Sequence, residues 1–121
     1  MSVVYSVIVP CYNEEMVLRE THKRLTDVMK DMDGDYEIIY VNDGSTDGTR
    51  DILQNICASD PNARAVCFAA NRGHQIAVTC GMDYARGQAV VIIDADLQDP
   101  PSLLPKMLEI TRRVVDAVKI P

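Results

Sequence analysis

The chain has 121 residues, 47% of them apolar, which is enough for one domain with a real core. It has no Trp and one Phe, so the core must be built from Val, Ile, Leu, Ala and Met, as in strands buried on both faces of an α/β sheet. A net charge of −6 argues against nucleic acid or an anionic membrane as the main partner. It leaves room for an anionic ligand held through a cation or backbone N–H groups.

Residues 3–10 (VVYSVIVP) are a β-branched run and predict a buried first strand. Cys11, Tyr12 and Asn13 follow as a loop. A helix is expected over 14–32, with Val17, Leu18, Leu25, Val28, Met29 and Met32 on one stripe. His22 falls on this helix and is expected in solvent. The run 36–41 (YEIIYV) predicts a second strand, and Asn42-Asp43-Gly44-Ser45 a tight turn. Ser45 or Thr46 is expected to cap a helix reaching Ala58, with Ile52, Leu53 and Ile56 inward. A third strand is expected at 63–69, and Asn71-Arg72-Gly73 is expected to lead into a third helix reaching about Ala85. His74, at that helix start, reads as a surface or capping residue. Residues 88–94 (QAVVIID) predict a fourth strand, 97–101 a loop, 103–113 a fourth helix, and 114–118 the start of a fifth strand. The methionines read as core, and Cys11 as a filler beside the first loop.

The resulting order is β-α-β-α-β-α-β-α, an α/β fold with a mostly parallel, Rossmann-like sheet flanked by helices. No linker or repeat divides it, so residues 1–121 are expected to form a single domain. An open sheet of this kind leaves a bare edge, which a homo-oligomer would cover. The four cysteines form no CxxC pair, which disfavours a zinc site and suits reduced cytoplasmic thiols. No signal peptide or membrane-length apolar stretch is apparent.

In such sheets, ligands bind beyond the carboxyl ends of the strands. Polar residues gather there: Tyr12, Asn13 and Glu14 after strand one, Asn42, Asp43 and Ser45 after strand two, and Asp94-Ala95-Asp96 after strand four. Each group alone is ordinary turn or helix-cap chemistry. Three in succession suggest one crevice. Asp94 and Asp96 would repel each other unless a cation sits beside them. Mg²⁺ or Mn²⁺ takes oxygen ligands of this kind together with substrate phosphates, and the Gln98 amide oxygen offers a further ligand. A receiver domain also clusters acids at strand ends, but Lys106 and Lys119 are badly placed for its lysine. The glycine signatures of dinucleotide-binding Rossmann domains and of P-loops are missing.

Four ordered segments carry a family resemblance. Val7-Ile8-Val9-Pro10-Cys11-Tyr12-Asn13-Glu14-Glu15, Val41-Asn42-Asp43-Gly44-Ser45-Thr46-Asp47-Gly48-Thr49, the stretch 71–87 (NRGHQIAVTCGMDYARG) and Asp94-Ala95-Asp96-Leu97-Gln98-Asp99-Pro100-Pro101 resemble family 2 glycosyltransferases, in their polyprenyl-phosphate form. Members often read Arg-Asn-Phe-Gly before the third helix, where this chain has Ala70-Asn71-Arg72-Gly73. The resemblance implies the nucleotide-binding half of a GT-A fold, a UDP- or GDP-linked sugar donor, and a lipid-linked phosphate acceptor at the cytoplasmic face of a membrane. It implies that Pro10, Tyr12, Asn13 and Glu14 line the nucleoside pocket. Asp43 would bond the base, and Asp94 and Ala95 would meet the ribose or diphosphate. Asp96 would bind Mg²⁺ or Mn²⁺, with Asp94 and Gln98 beside it. The part of the family domain that supplies the acceptor site and a catalytic carboxylate has no counterpart here, so no catalytic base is assigned. The alternative is a catalytically incomplete nucleotide-binding module.

Overall fold

A computed structural model describes residues 3–96 and 105–106. Four strands, β1 (Tyr5–Cys11), β2 (Tyr36–Asn42), β3 (Ala63–Cys67) and β4 (Ala89–Ile92), alternate with helices α1 (Leu18–Met29), α2 (Thr49–Ser59) and α3 (His74–Tyr84). All neighbours are parallel, in the order β3-β2-β1-β4. This is the α/β architecture expected from the sequence. The expected segment 97–101, the fourth helix and the fifth strand lie outside the described residues, apart from Pro105 and Lys106.

Both faces of the sheet are covered, which is why the strands read as continuous apolar runs. On one face Val7, Val9, Ile38 and Tyr40 pack with Leu18, Leu25 and Met29 of α1 and Leu53 and Ile56 of α2. Burying each such aliphatic side chain contributes roughly 1.5–3 kcal/mol. On the other face Ile39 and Val41 meet Ala77 of α3. α3 sits close because Gly81 has no side chain: a Cβ there would overlap Ile8 Cγ2.

Several boundaries differ from expectation. α1 begins at Leu18 rather than Glu14, because residues 13–17 form a separate loop: Asn13 has φ 52°, and both Val17 N and Leu18 N donate to Glu14 O. α2 begins at Thr49, after Gly48 as N-cap, so neither Ser45 nor Thr46 caps it. Their hydroxyls bond Asn42 and Asn13, and Asp47 Oδ1 takes the Thr49 N–H at 2.9 Å. β4 stops at Ile92, two residues short of the expected Asp94, and the cause lies on β1. Even-numbered residues of β1 turn their backbone groups to β4, since Ala89 N donates to Val4 O and Ile93 N to Ile8 O. The next donor in that series would be residue 10, a proline, which has no N–H. The ladder ends there, and the β4 chain is free to diverge.

His22 is not in solvent. Its Nδ1 lies 2.7 Å from Tyr40 Oη and its Nε2 2.8 Å from Asp60 Oδ2, with its side chain 14% exposed. The methionines divide: Met29 is buried, whereas Met16 and Met82 are exposed. Cys11 is buried, as a filler should be, and burial, reinforced by Glu14, pushes its thiol far above the ordinary range.

Candidate functional site

The order β3-β2-β1-β4 reverses direction between β1 and β4, and such switch points are where open α/β sheets bind ligands. A cavity of about 360 Å³ lies at their carboxyl ends, within the size range of small-molecule sites. Pro10, Tyr12 and Glu14 come to it from β1, Asp43 from β2, and Asp94, Ala95 and Asp96 from the chain after β4. Three segments far apart in sequence therefore meet in one crevice. The fourth wall was not foreseen: Asn71, Gly73, His74 and Ala77 bring the β3–α3 turn and the start of α3 into the lining. The available signal was topological, because the loop after a third parallel strand opens on the same edge. His74 is exposed, as a surface residue should be, but it stands in the cavity wall.

Asp43 organises this wall. It is 5% exposed, and its N–H donates to Cys11 O at 2.8 Å, extending the β1–β2 ladder by one step. Its carboxylate accepts from Arg72 N at 2.6 Å, Gly73 N at 3.0 Å and Asn71 Nδ2 at 3.2 Å. A carboxylate has about four acceptor directions, so roughly one is left for a ligand. Gly44 makes the contact possible: at φ 68°, a Cβ on it would collide with the backbone of Ala70 and Asn71.

Asp94, Ala95 and Asp96 follow β4 as a turn and all line the cavity, with Ala95 buried, Asp94 intermediate and Asp96 exposed. Thr21 Oγ1 of α1 donates to Ala95 O at 2.6 Å, and Thr21 is fully buried. Its signal was present in the sequence, as a hydroxyl on the apolar stripe between Leu18 and Leu25.

The cavity is electrostatically acidic. The Glu14 carboxyl is raised above its ordinary value first by burial, then by Asp96, Asp47 and Asp94. Mutual repulsion among hard oxygen donors is what a divalent cation relieves. Among the described residues no group of three or more His, Cys, Asp or Glu is assembled to hold a metal ion. Mg²⁺ or Mn²⁺ needs less than that from the protein, since one or two carboxylates suffice when substrate phosphates complete the shell. Asp94 and Asp96 fit that requirement, and Gln98 lies outside the described residues. Asn13, in contrast, is not part of the cavity lining. Its side-chain oxygen faces the β2–α2 loop, where Thr46 N donates to it at 2.8 Å.

The model of the family described as glycosyl transferase family 2 matches residues 6–119. The chain belongs to that family. An uncharacterized glycosyltransferase of Bacillus subtilis is 52% identical over 105 residues, covering 87% of this chain and 32% of the relative. The undecaprenyl-phosphate 4-deoxy-4-formamido-L-arabinose transferase of Pseudomonas fluorescens is 39% identical, over 86% of this chain and 31% of its own. The mannosyltransferase of Pyrobaculum calidifontis, solved with GDP-Man and Mn²⁺, superposes with a TM-score of 0.70 at 25% identity, covering 98% of this chain and 33% of that one. This family 2 chain thus spans about a third of the length of the curated relatives it matches. Among its described residues, no helix is long and apolar enough to cross a membrane.

Proposed function

We propose that this chain is the donor-binding part of a metal-dependent, inverting family 2 glycosyltransferase that moves a hexose from a UDP- or GDP-linked sugar to a polyprenyl phosphate. The carrying observation is the convergence of Tyr12, Glu14, Asp43, Asp94 and Asp96 on one cavity at the β1/β4 switch point. Tyr12, 47% exposed, offers a ring face to the nucleoside beside Pro10. Asp43 offers its remaining acceptor direction to a base N–H. Glu14 stands beside the same pocket, and Asp94 and Ala95 face the ribose and diphosphate. Asp96 and Asp94 would hold the cation, and Gln98 would be a further ligand. Bound Mg²⁺ or Mn²⁺ would neutralise charge developing on the departing nucleoside diphosphate.

The chain's own contribution is positioning: a fixed donor presents its anomeric carbon to one side only. A phosphate acceptor arrives ionised and needs little general-base help, so no residue here is assigned that role. The acceptor assignment draws support from the undecaprenyl-phosphate relative, and the cation from the Mn²⁺ complex of the mannosyltransferase. Work of this kind belongs at the cytoplasmic face of a membrane, in the synthesis of lipid-linked or cell-wall glycans.

Because the chain spans about a third of its relatives, a second reading also has support: these 121 residues alone bind the nucleotide and transfer nothing. The test compares the full-length protein with this chain, using UDP- and GDP-sugars, Mn²⁺ and a polyprenyl phosphate. The expected result is a lipid-linked sugar from the full-length protein only. Sugar transfer by the chain alone would remove the second reading. No transfer by an active, folded full-length preparation to any polyprenyl phosphate would overturn the acceptor assignment.

A further inference from the structure

Tyr12 and Glu14 both line the cavity, yet the residue between them does not. Asn13 has φ 52°, a left-handed conformation that Asn and Asp tolerate better than other side chains. That twist turns its side chain away from the cavity and into the β2–α2 loop. There its Oδ1 accepts from Thr46 N at 2.8 Å, Asp47 N at 3.3 Å and Thr46 Oγ1 at 3.4 Å. Its own N–H donates to Ser45 Oγ at 2.9 Å, and Ser45 Oγ donates onward to Asn42 Oδ1 at 2.6 Å. The flanking residues join the same seam: Glu14 N donates to Thr49 Oγ1 at 2.9 Å, and Gly48 N to Glu15 Oε2 at 2.8 Å.

We infer that Asn13 is a positioning residue, the centre of a latch between the β1–α1 and β2–α2 loops that presets Tyr12 and Glu14 for the donor without touching the nucleotide itself. The inference rests on reading the cavity as the donor site. Two features make the role specific. Every bond of the Asn13 side chain uses its oxygen as acceptor, and Nδ2 bonds no described residue. The latch therefore needs an acceptor at this position and tolerates the loss of the amide donor. A direct nucleotide contact through the exposed Nδ2 would show the opposite preference.

Without the latch, the loop carrying Tyr12 and Glu14 must be ordered when the nucleotide binds, and affinity falls by that ordering cost. Asn13→Asp keeps both the acceptor and the tolerance for positive φ. Its added charge lies in water, whose high dielectric holds repulsion from Glu15 and Asp47 to about 1 kcal/mol or less, and the stronger bonds a carboxylate accepts from Thr46 N and Asp47 N offset it. The experiment measures UDP and GDP binding with Mn²⁺ for the wild type, Asn13→Ala and Asn13→Asp. Amide exchange at Thr46 and Asp47 is followed in the same proteins without nucleotide. Asn13→Ala is expected to weaken binding by about tenfold and to speed exchange at both amides by at least about tenfold. Asn13→Asp is expected to stay within about threefold of wild type in both readouts.

Binding by Asn13→Asp as weak as by Asn13→Ala, with protected amides, would mean a direct contact and overturn the inference. So would an unchanged affinity in Asn13→Ala. If Asn13→Ala does not fold, Ser45→Ala removes a neighbouring bond of the latch and is read the same way: unchanged affinity overturns the role. Failure of the wild type to bind either nucleotide would sink the donor reading, while the exchange data would still decide whether the latch exists.

Discussion

Glu37 offers the sharpest test of how the sheet is held. It lies in β2 at the end of the strands opposite the cavity, 2% exposed, in a run that otherwise reads as apolar. Its carboxylate accepts from Ser6 Oγ at 2.7 Å, Arg86 N at 2.7 Å and Arg64 Nη2 at 2.6 Å. One side chain thus ties β1, β2, β3 and the segment leading into β4. Glu37→Gln keeps the shape and one carbonyl-type oxygen, which can still serve Ser6 and Arg86 N. It turns an amide NH₂ toward Arg64, so the charge-assisted bond is lost and two donors face each other. Bonds to charged groups contribute about 1.5–3 kcal/mol. Arg64 is 36% and Arg86 63% exposed, so water replaces part of the loss. The expected cost is about 2 kcal/mol, a large share of a stability on the order of 5–15 kcal/mol.

The assay is urea unfolding. With a slope of about 1.5 kcal/mol/M, the midpoint should fall by about 1.3 M at unchanged slope. Acid adds a second readout. Burial alone would raise the Glu37 carboxyl, but the bonds from Ser6, Arg86 and Arg64 outweigh it and hold the group below its ordinary 4.5. The unfolded chain therefore takes up this proton first. The stabilisation is present above about pH 4.5 and is lost as pH falls through the folded value. Glu37→Gln should flatten that acid limb while leaving nucleotide affinity unchanged. A loss below about 0.5 kcal/mol, or an unaltered acid limb, would refute the clamp.

Three further outcomes follow from the same geometry. Thr21→Val removes the donor to Ala95 O, and an unmet buried carbonyl costs about 1–2 kcal/mol; thermal melting should show it, and UDP or GDP affinity should fall several-fold as Asp94 and Asp96 loosen. Gly44→Ala meets both an unfavourable φ of 68° and the backbone of Ala70 and Asn71, so a loss of at least about 3 kcal/mol is expected in denaturant unfolding. Glu14 has the opposite pH sign to Glu37: its raised carboxyl takes up protons in the folded state first, so stability should fall as pH rises from 4.5 through the folded value. Glu14→Gln should abolish that fall, measured by melting across pH without divalent cations, and Mn²⁺ should lessen it in the wild type.

Much of this was legible in the sequence because its signals are local. Runs such as VVYSVIVP and YEIIYV announce buried strands, and their polar ends fall at one edge of a parallel sheet. What escaped depends on partners distant in the chain. The end of β4 is set by Pro10 on β1, and the late start of α1 by a loop held from residues 45–49. His22 looked like a solvent residue on its helix, but Tyr40 and Asp60 arrive from elsewhere to receive it. For Asn13 the family resemblance implies a place beside the nucleotide, whereas its positive φ and its bond from Thr46 N, both invisible in the sequence, put its oxygen against the β2–α2 loop.

The proposed function requires Asp94 and Asp96 to bind a nucleoside diphosphate through a divalent cation. Calorimetric titration of the chain with UDP and GDP tests it directly, in Mn²⁺ and after chelation, for the wild type and Asp96→Asn. One of the two nucleotides should bind in Mn²⁺. Chelation should abolish that binding, and Asp96→Asn should weaken it by at least about tenfold, or about 1.4 kcal/mol. Equal affinity with and without the cation, or an Asp96→Asn protein that binds as well as wild type, would contradict it.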